Sequence, residues 1–152
     1  MRCGQCYAIC DAMKLVLDTN ILVAGVRSRT GASNALLIAA FQQRFVWCCS
    51  VPLFYEYEDV LNRAEFLLAT SLSRDEVGKF LNAVALAIVP VEVNFRWRPQ
   101  LTDPSDEMVL EAAINAGAAA VVTFNARDFG ASPARFGIAV LAPADALQKV
   151  MT

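Results

Sequence analysis

Short apolar runs alternate with longer stretches of helical periodicity along most of this chain. Lys14-Leu15-Val16-Leu17 is an apolar run that stops at Asp18-Thr19-Asn20, the pattern of a buried strand entering a turn. Residues 21–26 and 35–41 read as helices, separated by the polar break Arg27-Ser28-Arg29-Thr30-Gly31. The bulky residues 45–49 predict a second strand. Ser50 is then placed to cap a helix with Pro52 in its first turn, and an apolar stripe of Leu53, Phe54, Tyr57, Val60, Leu61 and Ala64 extends that helix over 53–64. Ser73-Arg74-Asp75-Glu76 matches a capping box, so a helix should run from there to about residue 87. Residues 88–93 predict a third strand, which Pro90 consigns to a sheet edge. Asp103-Pro104-Ser105-Asp106 opens a helix that should end near Gly117. Residues 119–123 and 138–141 complete the strands, and 143–150 form a last helix. Strands separated by helices imply a parallel sheet covered on both faces. The expectation is one α/β domain, a three-layer sandwich around a mostly parallel five-stranded sheet.

Composition narrows the chemistry. The 152 residues suit a single domain. At 57% hydrophobic and 18% charged the chain is far from the composition of disorder, and its apolar excess suggests surface that meets a partner. Histidine is absent, which removes Ser-His-Asp and Cys-His catalysis and zinc sites built on imidazole. A net charge of −2 gives no global attraction to nucleic acid or to anionic membranes. No run approaches the ~18 apolar residues of a bilayer span. The longest, 80–89, contains Asn82 and meets Pro90, so no membrane association is expected. Residues 1–12 lack an apolar signal core, and the five cysteines form no obvious disulfide framework, which favours a reducing cytoplasm. Cys3, Cys6 and Cys10 would need the Cys48-Cys49 pair to complete a zinc site. The simpler expectation is that residues 1–12 are a non-functional extension and that the domain spans 13–152.

In parallel α/β folds ligands bind beyond the carboxyl ends of the strands. Asp18 directly follows the first strand; Asn125 and Asp128 follow the fourth. Asp106 lies within the stripe Asp106, Val109, Leu110, Ala113, with Glu107, Glu111 and Asn115 on the other side of the helix. An inward carboxylate is costly unless paired, hydrogen-bonded or metal-bound. A first-turn acid also has a plain role at the helix dipole. Glu56 and Glu58 flank the stripe of the 53–64 helix on opposite sides, and periodicity does not choose between them. Asp75, Glu76, Glu92, Glu111 and Asp145 read as caps or a solvated face. Arg96-Trp97-Arg98 reads as a loop whose Trp97 covers the core edge, rather than as a nucleic-acid clamp.

Taken in order, Leu15-Val16-Leu17-Asp18-Thr19-Asn20, Glu56-Tyr57-Glu58-Asp59-Val60-Leu61, Asp103-Pro104-Ser105-Asp106 and Val122-Thr123-Phe124-Asn125-Ala126-Arg127-Asp128-Phe129 resemble the motifs of the PIN-domain nucleases. The chain looks especially like the VapC-like toxins of bacterial toxin–antitoxin pairs. The resemblance covers Met13 to about Leu141. It implies a metal-dependent endoribonuclease on a flat five-stranded parallel sheet, leaving 5′-phosphate and 3′-hydroxyl ends. Carried over by position, Asp18, Glu56 and Asp106 match the family's core acids, which selects Glu56 over Glu58. Many members have an acid where Asn125 stands; here Asp128 is taken as the fourth acid. Asn20, Asp103, Thr123 and Asn125 are supporting residues. The implied partners are an RNA substrate, a protein antitoxin and a second copy of the chain in a homodimer.

Clustered carboxylates without histidine select a hard divalent ion, Mg²⁺ or Mn²⁺. Asp18, Asp106 and Asp128 would be its ligands and Glu56 would orient or deprotonate water. Three other readings compete. A receiver-like phosphoacceptor domain wants an adjacent acidic pair and a late-strand lysine, yet Lys79 and Lys149 fall in predicted helices. A D-x-D phosphatase is weakened by Asn20. In a catalytically silent interaction module the acids would serve only as caps.

Overall fold

A computed structural model describes residues 12–96 and 101–152. Cys3, Cys6 and Cys10, the extension up to Asp11 and the Trp97-Arg98 segment lie outside the described residues. The strands are β1 (Lys14–Leu17), β2 (Val46–Ser50), β3 (Val89–Val91), β4 (Ala120–Val122) and β5 (Ala139–Leu141). All pair in parallel, in the order β3-β2-β1-β4-β5. The sheet is thus wholly parallel, five-stranded and flanked by helices in three layers. Every residue of β1, β2 and β4 except Lys14 is buried, as central strands covered on both faces must be. β3 lies at an edge, where the missing N–H of Pro90 costs no ladder bond. It is shorter than the 88–93 run because its partner β2 ends at Ser50, opposite Val91.

The helices are α1 (Thr19–Arg27), α2 (Ala32–Phe41), α3 (Val51–Leu61), α4 (Ala64–Thr70), α5 (Arg74–Ala87), α6 (Pro104–Ala116), the single turn α7 (Ala126–Phe129) and α8 (Pro143–Met151). A 3₁₀ turn spans Pro133–Phe136. Among the described residues no helix is long and apolar enough to cross a membrane. The predicted caps form. The Ser50 hydroxyl accepts from the Leu53 N–H at 3.4 Å. Ser73 and Glu76 make both bonds of the capping box, at 3.1 and 3.0 Å. Gly117 ends α6 at φ +65°, a conformation that costs glycine nothing.

Two expectations are corrected. The helix placed over 53–64 stops at Leu61. Asn62 closes it by donating its side-chain amide to the Glu58 carbonyl at 2.9 Å, Arg63 turns extended, and α4 begins at Ala64. A local side-chain bond of this kind competes with helix continuation. Glu107 and Glu111, expected on the side of the helix away from its apolar stripe, and Glu111 as a cap or solvated residue, are both buried. Glu107 is held there by tertiary structure, since its Oε1 accepts the Leu101 N–H at 2.6 Å. An acceptor satisfied in this way offsets much of the cost of burial.

Close packing fixes α1, the helix that starts beside Asp18. A Cβ at Gly25 would lie 2.5 Å from Leu37 Cδ1 of α2, so any larger residue forces the Leu37 side chain to shift if the two helices are to stay this close. The Asn34 amide donates to the Gly25 carbonyl at 2.8 Å and ties them further. On α3, the fully buried Tyr57 donates its hydroxyl to the carbonyl of Leu17, the last residue of β1. That bond links the helix carrying Glu56 to the strand preceding Asp18.

Candidate active site

The chain leaves β1 toward β2 and β3 on one side, then returns to β4 and β5 on the other. β1 and β4 are therefore the neighbours at which the winding reverses, the place where parallel sheets open a crevice. Leu17 and Val122 are register partners, so the next residues, Asp18 and Thr123, emerge side by side. The Thr123 hydroxyl donates to Asp18 Oδ2 at 2.7 Å. The Thr123 hydroxyl oxygen in turn accepts the Asn125 N–H at 3.0 Å and the Asn20 side-chain amide at 3.4 Å. One buried hydroxyl thus gathers three of the residues singled out from the sequence.

Asp18 is buried, and burial pushes its carboxyl above the usual range. Its bonds from Thr123 and the Thr19 backbone pull the other way, while the charges of Asp103 and Asp128 add to the rise. Asp106, in the first turn of α6, is only 8% exposed. Its carboxyl is pushed up to about 6, chiefly by burial and then by Asp18, Asp103 and Asp128. Asp103 has a structural role as well, because it is the N-cap of α6 and accepts the Ser105 N–H at 2.8 Å. Asp128 lies exposed on α7, a turn that periodicity does not reveal because it is four residues long.

Glu56 is half-buried and Glu58 exposed. Burial is the main reason the Glu56 carboxyl is raised; Asp59, Asp18 and Asp103 raise it further and Arg63 opposes them. Arg63 also pairs with Asp59 at 2.8 Å. Sequence reasoning passed over this arginine, although its spacing of seven from Glu56 and four from Asp59 puts all three along one side of a helical path. Asp18, Glu56, Asp103, Asp106 and Asp128 are thus linked by mutual repulsion at one end of the sheet. As the side chains stand, no three Asp, Glu or Cys residues among those described are grouped to hold one ion. Cys48 and Cys49 are buried free thiols inside β2, and burial pushes Cys49 up to about 12, far from a ready thiolate ligand.

The donor chemistry nonetheless fits a hard cation. Besides the carboxylates, Thr19 Oγ1 and Asn20 Oδ1 are buried next to Asp18 without a hydrogen-bond partner. Buried oxygens in that condition need donors, such as the water shell of an ion. A sequence model of the PIN domain matches residues 14–127.

The chain belongs to the PIN-domain family. The matched span runs from β1 into α7, so this PIN domain's Asp18, Glu56, Asp106 and Asn125 fall within it, and Asp128 lies one residue beyond. PIN domains are typically nucleases acting on nucleic acid, generally with divalent metals, and the fold described here is that nuclease fold. No curated protein matches this PIN domain as a relative.

Proposed function

We propose that this PIN domain is a Mg²⁺- or Mn²⁺-dependent endoribonuclease, and that Asp18, Glu56, Asp106 and Asp128 carry its chemistry. The observation that carries the reading is the acidic cluster beyond β1 and β4, where Asp106 is raised chiefly by its own burial and further by Asp18, Asp103 and Asp128. Asp18, Asp106 and Asp128 are the residues that would hold the ion. A divalent ion bound there would offset their repulsion, lower the pKa of an attacking water and neutralise charge developing on the phosphodiester.

Thr123 holds the Asp18 carboxylate through Oδ2, and the Thr19 backbone bonds it as well, so the group that would face an ion is fixed in orientation. The half-buried carboxylate of Glu56, raised above the ordinary range chiefly by burial, is suited to orient water and take its proton. Asn20 and Asn125 hold the Thr123 hydroxyl in place, and Asp103 adds an outer negative charge while anchoring α6. The likeness to PIN-domain nucleases implies that hydrolysis leaves a 5′-phosphate and a 3′-hydroxyl.

The proposal extends to biology: a cytoplasmic toxin of a toxin–antitoxin pair, working as a homodimer and restrained by a protein antitoxin. The likeness of its motifs to VapC-like toxins supports this part, together with large apolar side chains on the surface such as Tyr55, Leu68 and Leu86. RNA cleavage with Mg²⁺ by the wild type and by Asp18→Asn tests the enzymatic reading. Loss of nearly all activity in the variant is expected, and equal rates overturn the assignment. A wild type that neither cleaves RNA nor binds Mn²⁺ would favour a silent interaction module instead.

A further inference from the structure

Phe124 stands between two residues of the acidic site, and its side chain is 55% exposed. Single apolar side chains on a surface are ordinary, but the backbone of this one is held in place on both sides. Thr123 before it bonds Asp18, and the Asn125 N–H after it bonds the Thr123 hydroxyl. With consecutive Cα atoms 3.8 Å apart, the backbone that carries the ring is pinned one residue from the hydroxyl that bonds Asp18. Arg127 follows on α7, exposed and with no ion pair among the described residues, directly before Asp128. An acidic pocket repels a polyanion, so substrate must be drawn in by groups beside it. An exposed aromatic face and a free guanidinium are the kinds of group that bind single-stranded nucleic acid without reading its sequence.

We propose that Phe124 is a stacking platform for the base beside the scissile phosphate, and that Arg127 contacts the adjoining phosphodiester. The inference rests on the nuclease reading and deepens it: the substrate is RNA with unstacked bases, and duplex RNA, whose bases are stacked on one another, is a poor one. Phe95 provides an internal control. It is similarly exposed, but its N–H bonds Asn115 near the far end of α6, nine residues along the helix from Asp106. That is about 13 Å at 1.5 Å per residue.

The test is steady-state cleavage of a twelve-nucleotide single-stranded RNA carrying 2-aminopurine, with wild type, F124A, F124L, F124W, R127A and F95A. F124A and F124L should raise KM roughly 5- to 100-fold with little change in kcat, and should lose the quenching of 2-aminopurine on binding. F124L keeps the apolar bulk without the stacking face, which separates stacking from folding defects. F124W should restore both readouts, and F95A should match the wild type. R127A should reduce the slope of log affinity against log salt by about 0.7, the value for one phosphate contact on a single strand. A cleaving wild type whose KM is unmoved by F124A and F124L overturns this inference alone. A wild type that neither cleaves nor quenches the probe overturns the nuclease reading and the inference together.

Discussion

Replacing Asp106 with asparagine should make the metal-free protein more stable at neutral pH. The Asp106 carboxyl titrates at about 6 in the fold, against an ordinary 3.8. The native state therefore binds this proton more tightly than the unfolded chain does. Its contribution to stability is fully present below 3.8 and is lost as pH rises through 6. A rise of about two units is worth about 3 kcal/mol at 1.36 kcal/mol per unit. The cluster includes the exposed Asp103 and Asp128, so solvent screening brings the figure to about 1–2 kcal/mol. For a domain of this length that is a gain of roughly 2–8 °C in melting temperature. The assay is thermal unfolding of wild type and D106N in EDTA at pH 7.5 and pH 4.5. The advantage of D106N should be largest at pH 7.5 and fall to about a third of that at pH 4.5. A variant that melts at or below the wild type at pH 7.5, or whose advantage is the same at both pH values, refutes the argument.

Two further substitutions probe the scaffold. T123V keeps the shape of the side chain and removes the 2.7 Å bond to Asp18, leaving a buried acid short of a donor. It should cost about 1–3 kcal/mol in urea denaturation and slow RNA cleavage at least tenfold, and wild-type cleavage would show that Asp18 does not depend on the hydroxyl. G25A should be destabilising by about 1 kcal/mol, because overpacking against Leu37 at 2.5 Å costs about 1–3 kcal/mol while helix propensity returns up to ~1 kcal/mol; a more stable G25A would mean that Leu37 yields freely.

The strands were legible because apolar runs such as Leu15-Val16-Leu17 are bounded by strongly polar residues, and their burial follows directly. The position of Asp18 was equally legible, because it sits one residue past a strand; Thr123 reads in sequence as the end of the fourth strand, which in the fold stops at Val122. The 2.7 Å bond between them depends on which strands are neighbours, and periodicity carries no such information. Asp106 declared itself as a charge in an apolar stripe. Glu107 and Glu111 did not, since α6 is covered on more than one side and its register looks amphipathic in sequence alone. The choice of Glu56 over Glu58 came from family likeness, and the structure adds that Glu56 is the more buried of the two. The division between α3 and α4 was missed because the apolar spacing continues to Ala64 while a single asparagine bond ends the helix.

The bond between Thr123 and Asp18 spans 105 residues of sequence. At the usual 5–20 residues added per second, one partner leaves the ribosome's catalytic centre roughly 5–20 s before the other exists. β1 meets its β4 neighbour only after most of the domain has been made, because long-range pairing of this kind is the late and slow part of folding. If the proposed ribonuclease reading holds, the enzyme would thus be made beside its messenger in an inert form. Fragments lacking β4 would retain Asp18 and Glu56 yet have no assembled crevice in which to use them.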